Sequence, residues 1–387
     1  FNLGIVLKNQ SKFSEAIDAY KKSISLKPND AEVHYNLGNT LRDFGRLEEA
    51  EESYRQAIIW KSDFLKAYHN LSFTLLNSGK IKEGIDLFEC RWKNDLSLSS
   101  KMRNFPQPLW DGKQSLNGKT ILLWQEQGVG DTINWSSLLP FVINRAEHCV
   151  LECQDKLVPL LKRSFPNVEV KPEDRSLDIK RDDFDYHLPM GSLYRHFLDE
   201  IIENDKPDAH LIPDPDRVNY WRDRLNSLAK GPYIGIAWKS SNMSPVRLPN
   251  YSSISEWSQI LSIPNVTFIN LQSKDFEDDL SKVKEELGVT VHNFDDLDQW
   301  NNIDDVAALC TAIDMVICNH GTVPLISGGV GTLTKLAIWK QSNWNTIIHN
   351  PRGDSVNIFE RNTWETWDNV FKLIKEDIIE LEKDWRN

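Results

Sequence analysis

Residues 121–140 read ILLWQEQGVGDTINWSSLLP. An apolar run ending at Trp124 gives way to Gly128, Gly130 and Asp131 before a helical pattern resumes. Such a change of texture reads as a buried strand running into a helix, and the carboxyl end of a parallel strand is where open α/β sheets hold ligands. Three readings fit the stretch by itself: a plain strand-to-helix turn, a dinucleotide loop, or the mouth of an active site.

The same alternation runs on downstream. TILLW, CVLECQ, VEVKP and DYHLPM read as strands, with helices at TINWSSLLPFVINRA and DKLVPLLKRSF. A second set opens at YIGIAW and continues through a helix at ISEWSQILS, a strand at VTFINLQ, a helix at FEDDLSKVKEEL, then VTVHNF, DDVAALCTAI, DMVICN and TLTKLAIW. Strands alternating with helices predict parallel sheets. Two sets, separated by the polar stretch PDPDRVNYWRDRLNSLAKG, predict two Rossmann-like domains facing across a cleft. Three stretches fall at strand ends: Gly128 to Asp131, Lys239-Ser240-Ser241 and Asn319-His320-Gly321-Thr322. A dinucleotide fingerprint needs a third glycine where this chain has Ile133, and no Walker loop occurs.

Upstream the chain repeats. Leu3-Gly4, Leu37-Gly38 and Leu71-Ser72 are in phase, as are Ala16, Ala50 and Gly84, and Tyr20, Tyr54 and Phe88. Gly45 and Gly79 mark turns within helix pairs, while Pro28 and Ser62 link one pair to the next. Three units in phase carry the tetratricopeptide signature, in which small residues let helices approach and the aromatic fills the space between pairs. Such arrays present a concave surface for a peptide or protein, or serve as a spacer. Asn36, Asn39, Asn70 and Arg42 are groove candidates, with solvation as their plain alternative. The chain opens at Phe1 without a methionine, which suggests a piece of something longer. The pattern predicts repeats over 1–92, a linker over 93–118, a first Rossmann-like domain over 119–212 and a second over 213–387 with a final helix at 363–385.

Net charge of −12 argues against a nucleic-acid binder, which needs clustered cations on phosphates. No apolar run has the length of a membrane span. The five cysteines, Cys90, Cys149, Cys153, Cys310 and Cys318, show no zinc-ligand spacing and read as reduced core thiols, which favours a cytoplasmic setting.

The run FECRW at 88–92, then FPQPLWDG, EQGVGDT, GIAWKS, NLQ and DDVAALCTAIDMVI resembles bacterial tetratricopeptide-repeat glycosyltransferases. These are similar to heptosyltransferase-like proteins of GT-B fold and, more distantly, to the repeat-bearing O-linked N-acetylglucosamine transferases. The resemblance implies sugar transfer from a nucleoside-diphosphate sugar to a protein or glycan, with no metal and no further cofactor. It makes Asp131 the general base, although helix capping explains an acid there equally well. Gly128 and Gly130 would clear space for the sugar and supply unusual dihedrals. Lys239 with Ser240, and Asn319, His320, Gly321 and Thr322 at a helix start, would hold the nucleotide phosphates. His187, Arg247 and Gln272 are further candidates; a strand-end histidine is commonly bonded in place, and a loop arginine solvated. Asp214-Pro215-Asp216 and Asp296-Leu297-Asp298 look like metal-binding pairs, but chance in an acidic chain explains them better. Relatives carry an Asp-Thr-Ser turn and a later histidine where this chain has His320-Gly321-Thr322 and Leu325, and their proline-rich loop is replaced by KQSNWNTIIHNPRGD. Those departures raise the alternative of a binding scaffold that has lost its chemistry.

Overall fold

The structure is a computed structural model that describes residues 1–94, 102–203, 209–240, 243, 247–340, 346–349, 351, 353–363 and 365–385. Two units emerge: Phe1–Met102 with Lys340–Ile347, and Arg103–Trp339 with Ile348–Asn387.

The first unit contains three helical hairpins: α1 (Asn2–Asn9) with α2 (Phe13–Leu26), α3 (Ala31–Asp43) with α4 (Leu47–Trp60), and α5 (Leu65–Asn77) with α6 (Ile81–Phe88). Gly45 and Gly79 turn the chain at φ 80°, a left-handed conformation that glycine adopts without cost, and Ser11 takes the matching place at φ 59°. A Cβ on Gly38 would stand 2.7 Å from the Tyr54 ring, and one on Gly4 equally near Tyr20. Close helix approach therefore underlies the repeat. Asn39 and Asn70 bind neighbouring helices: Asn39 Oδ1 accepts from Tyr54 Oη at 2.8 Å and from Asn70 Nδ2 at 2.7 Å. Arg42 pairs with Asp43, which also meets Lys8 at 2.9 Å, and Asn36 donates to the Glu32 carbonyl.

The second unit carries two wholly parallel sheets. The first has β1 (Thr120–Trp124), β2 (His148–Cys153), β3 (Val168–Pro172) and β4 (Tyr186–Pro189) in the order β3-β2-β1-β4. The second has β5 (Tyr233–Ala237), β6 (Thr267–Asn270), β7 (Val291–His292), β8 (Met315–Asn319), β9 (Leu333–Trp339) and β10 (Val356–Arg361) in the order β10-β9-β8-β5-β6-β7. This is doubly wound order, with the switch point between β5 and β8. Residues 121–124 are wholly buried, as a central parallel strand covered on both faces requires.

Several elements differ from expectation. Residues 95–101 of the expected linker lie outside the described residues, but the rest anchors four buried side chains among exposed ones. Leu109 bridges to His187 beside β4, and Phe105, Trp110 and Leu116 are buried. Arg103 enters the same core, where its guanidinium pairs with Asp178 and Glu152 and lies 4.6 Å over the Phe105 ring. The polar separator is a helix, Pro215–Leu228, whose Trp221 Nε1 and Arg217 both donate to buried Asp305. Asp214 caps that helix by accepting from Asp216 N, and Asp296 pairs with Arg224, so these acids have structural work. The predicted helix at TINWSSLLPFVINRA divides into Val129–Ser136 and Leu139–Ile143, with Pro140 in the first turn of the second piece. The last helix begins at Asp368, after a turn in which Asn362 N donates to Glu365, and buries Phe371, Ile374 and Ile378. Strand β10 is not marked by the sequence pattern because half of its residues are exposed and only Arg361 is buried, so its apolar pattern is weak.

Candidate active site

Strand β1 ends at Trp124, and the chain turns through Gly128 into the helix Val129–Ser136. Asp131 is the third residue of that helix, not its cap. Its Oδ2 accepts from the Gly128 N–H at 3.0 Å, the reach-back half of a capping box. Its Oδ1 lies 3.1 Å from Nδ1 of His349, 218 residues away in the segment before β10. The Asp131 side chain is 24% exposed and that of His349 only 5%. Burial works against the Asp131 charge. The hydrogen bond and charge of His349, the Gly128 N–H and the charge of His320 outweigh it and hold the carboxyl below its ordinary range.

Gly130 serves close approach, because a Cβ there would meet Leu325 Cδ1 at 3.0 Å and Thr322 Oγ1 at 3.4 Å. Gly128 needs no special freedom; its φ of −78° is open to any residue, and the expectation of unusual dihedrals fails at both glycines. From the second sheet come His320, Gly321 and Thr322 at the end of β8, beside the switch point. His320 Nε2 is buried with no partner among the described residues. Burial, then the charges of His349 and Arg247, push its pKa down to about 4, against Asp131 and a hydrogen bond to the His349 backbone. Arg247 is therefore brought to this group of residues.

Other expected site residues are spent elsewhere. Lys239 Nζ pairs with Asp279 at 2.6 Å, and Asp279 also accepts from Trp238 Nε1 at 2.8 Å. Gln272 accepts from the Lys239 N–H at 3.1 Å and so shapes the end of β5. Asn319 Oδ1 accepts from the Ser252 N–H and hydroxyl, and its Nδ2 donates to the Ala337 carbonyl, which ties β8 to β9. Ser240 follows Lys239, while Ser241 lies outside the described residues. The helix after Thr322 has only seven residues, Val323–Gly329, and Pro324 removes one of the N–H groups expected to face phosphate.

His187 sits in the aromatic wall of the first sheet. Trp124 Nε1 donates to its Nδ1 at 3.3 Å, and Phe105 stands against it with ring centroids 4.8 Å apart. Burial, with the nearby Arg103 charge, pushes its pKa down to about 4. In the unfolded chain an imidazole titrates near about 6.5. The unfolded state therefore binds more protons between those values, and the stability present above about pH 6.5 is lost as pH falls towards 4, by about 1.4 kcal/mol per pH unit for each such group. His187→Phe should lose less melting temperature between pH 7 and pH 5 than the parent protein. An equal loss in both would show that His187 does not titrate with unfolding.

His349 was not foreseen. It lies in the stretch expected only as a loop replacement, and nothing local marks it. Its neighbour Ile348 offers a carbonyl that accepts from Asn134 Nδ2 at 2.9 Å and Trp135 Nε1 at 3.0 Å. The helix that carries Asp131 therefore also fixes its partner.

Residues 4–43 match the family described as TPR repeat, and residues 31–64 that described as tetratricopeptide repeat. Residues 4–64 are tetratricopeptide repeats. Protein FlbA of Caulobacter vibrioides is 32% identical over 274 residues, covering 66% of this chain, and the chain spans 46% of FlbA. Among solved structures, the ADP-heptose lps heptosyltransferase II of E. coli is 12% identical, with 68% of this chain and 99% of that one covered at a TM-score of 0.49. The glycosyl transferase family 9 protein of Veillonella parvula is also 12% identical, with 68% and 92% covered at a TM-score of 0.48. Among the described residues, no helix is long and apolar enough to cross a membrane.

Proposed function

We propose that the chain is a glycosyltransferase that moves a sugar from a nucleoside-diphosphate sugar to a hydroxyl of a protein or glycan, without a metal ion. One observation carries this reading. A partly exposed, ionised carboxylate just after β1 bonds the His349 imidazole from the segment before β10 and feels the charge of His320 at the end of β8. Asp131 takes the acceptor's proton as its oxygen bonds to the anomeric carbon, and the bond from that carbon to the diphosphate breaks with its electron pair leaving on the nucleotide. Arg247 supplies charge for the diphosphate. The tetratricopeptide repeats recruit the acceptor or a partner protein. All five cysteines are free thiols and four are buried, which suits work in a reducing cytoplasm.

A second reading has its own support. With Lys239 paired to Asp279, the cation expected on phosphate is already engaged, as in a scaffold that no longer handles nucleotide sugars. Calorimetry with nucleoside diphosphates in the presence of a chelator separates the two. Binding is expected, and Arg247→Ala should weaken it roughly 10- to 100-fold, the worth of a charge-assisted contact. Binding that requires added metal, or no binding by any nucleotide, would overturn the reading in favour of the scaffold.

A further inference from the structure

We infer that His349 is the positioning residue for Asp131: it fixes one carboxylate oxygen from the buried side and leaves the carboxylate's exposed edge to the acceptor hydroxyl. The catalytic part of this inference rests on the glycosyltransferase reading, while the contact itself rests on geometry. Three observations converge. The imidazole is nearly enclosed and the acid is not, so the acid is the member of the pair that a substrate reaches. The acid is held at both oxygens, by the Gly128 N–H at 3.0 Å and His349 Nδ1 at 3.1 Å, which sets its plane. His349 is itself immobilised, through the paired Asn134 and Trp135 hydrogen bonds to the preceding carbonyl and the hydrogen bond of His320 to its backbone.

The charged and titratable groups facing Asp131 are His349, from the segment before β10, and His320, from the end of β8, with Arg247 acting on His320. The first sheet thus contributes the base and the second its orienting partner. The Ile348–His349 segment thus joins the helix after β1 to the second sheet at the candidate base.

The test follows the Asp131 carboxyl by carbon NMR titration in the parent protein, His349→Ala and His349→Asn, together with kcat, KM and their pH profiles. Removing a group that favours the carboxylate must raise its titration. In His349→Ala the carboxyl should therefore titrate at higher pH than in the parent. In the same variant kcat should fall roughly 100-fold, as expected for a misplaced catalytic group, with the donor KM little changed. The acid limb of the kcat profile should move up with the carboxyl. His349→Asn places an amide N–H near the position of Nδ1 and should recover most of the rate. An Asp131 titration unchanged in His349→Ala would overturn the inference, as would a variant that loses melting temperature while kcat and its acid limb stay at parental values. If the parent protein turns over no nucleotide sugar, the glycosyltransferase reading fails by itself. The NMR titration needs no substrate and still decides whether His349 holds Asp131.

Discussion

Asp131→Asn is expected to lower sugar transfer by about 100-fold or more while leaving the fold and nucleotide affinity in place. The size follows from the usual worth of a positioned general base, roughly 10²- to 10⁴-fold. The substitution separates two roles that share one side chain. An asparagine oxygen can still accept from the Gly128 N–H, which the carboxylate now does at 3.0 Å, so the start of the helix survives. Basicity does not survive, because an amide cannot take a proton from a hydroxyl. The measurement is donor hydrolysis and transfer rate beside melting temperature. Near-parental turnover in Asp131→Asn would reduce Asp131 to a helix-start residue and remove the base from the mechanism.

Arg103→Met should destabilise the first sheet by about 3 to 5 kcal/mol, the usual cost of removing one partner from a buried ion pair. The Arg103 side chain is 0% exposed, and those of its partners Glu152 and Asp178 are 2% and 10% exposed. Methionine fills comparable length, so the loss reports stranded charge more than an empty cavity. Arg181 still reaches Glu152 at 2.5 Å and softens the damage on that side, which leaves Asp178 the more exposed to it. Adding Asp178→Asn should therefore restore part of the stability. Hydrogen exchange of the β1 to β4 amides reads the opening free energy of this region directly. A loss below about 1 kcal/mol would place the cluster among pairs that behave as if solvated.

How far the sequence was legible depends on what kind of interaction made each feature. The repeats at Tyr20, Tyr54 and Phe88 and nine of the ten strands were readable, because helix and strand periodicity is written into neighbouring residues. Strand β10 escaped because an exposed edge does not need apolar alternation. The helix Pro215–Leu228 looked like a polar connection since most of its residues are polar, although Val218, Trp221 and Leu225 form a narrow buried stripe and Arg217 and the Trp221 indole N–H reach Asp305. Residues 103–116 read as linker because prolines and a turn dominate them, although Arg103, Phe105, Trp110 and Leu116 among them are buried.

By itself, then, the sequence determined the order of parts: helical repeats, then two sets of parallel strands, with a glycine-rich turn and an acid at the end of β1. It also placed Asp131 and the 319–322 turn at strand ends, where ligands bind in such sheets. Only the tertiary structure decided what those residues do to one another. It paired Asp131 with His349 across 218 residues, gave Lys239 to Asp279, enclosed His187 among aromatic rings and brought Arg247 to His320. The physical reason is that backbone elements are specified by short-range periodicity, which a single chain displays openly. A polar side chain has many partners available to it, and which one it takes is settled only when packing brings distant segments together and burial makes an unmade hydrogen bond costly.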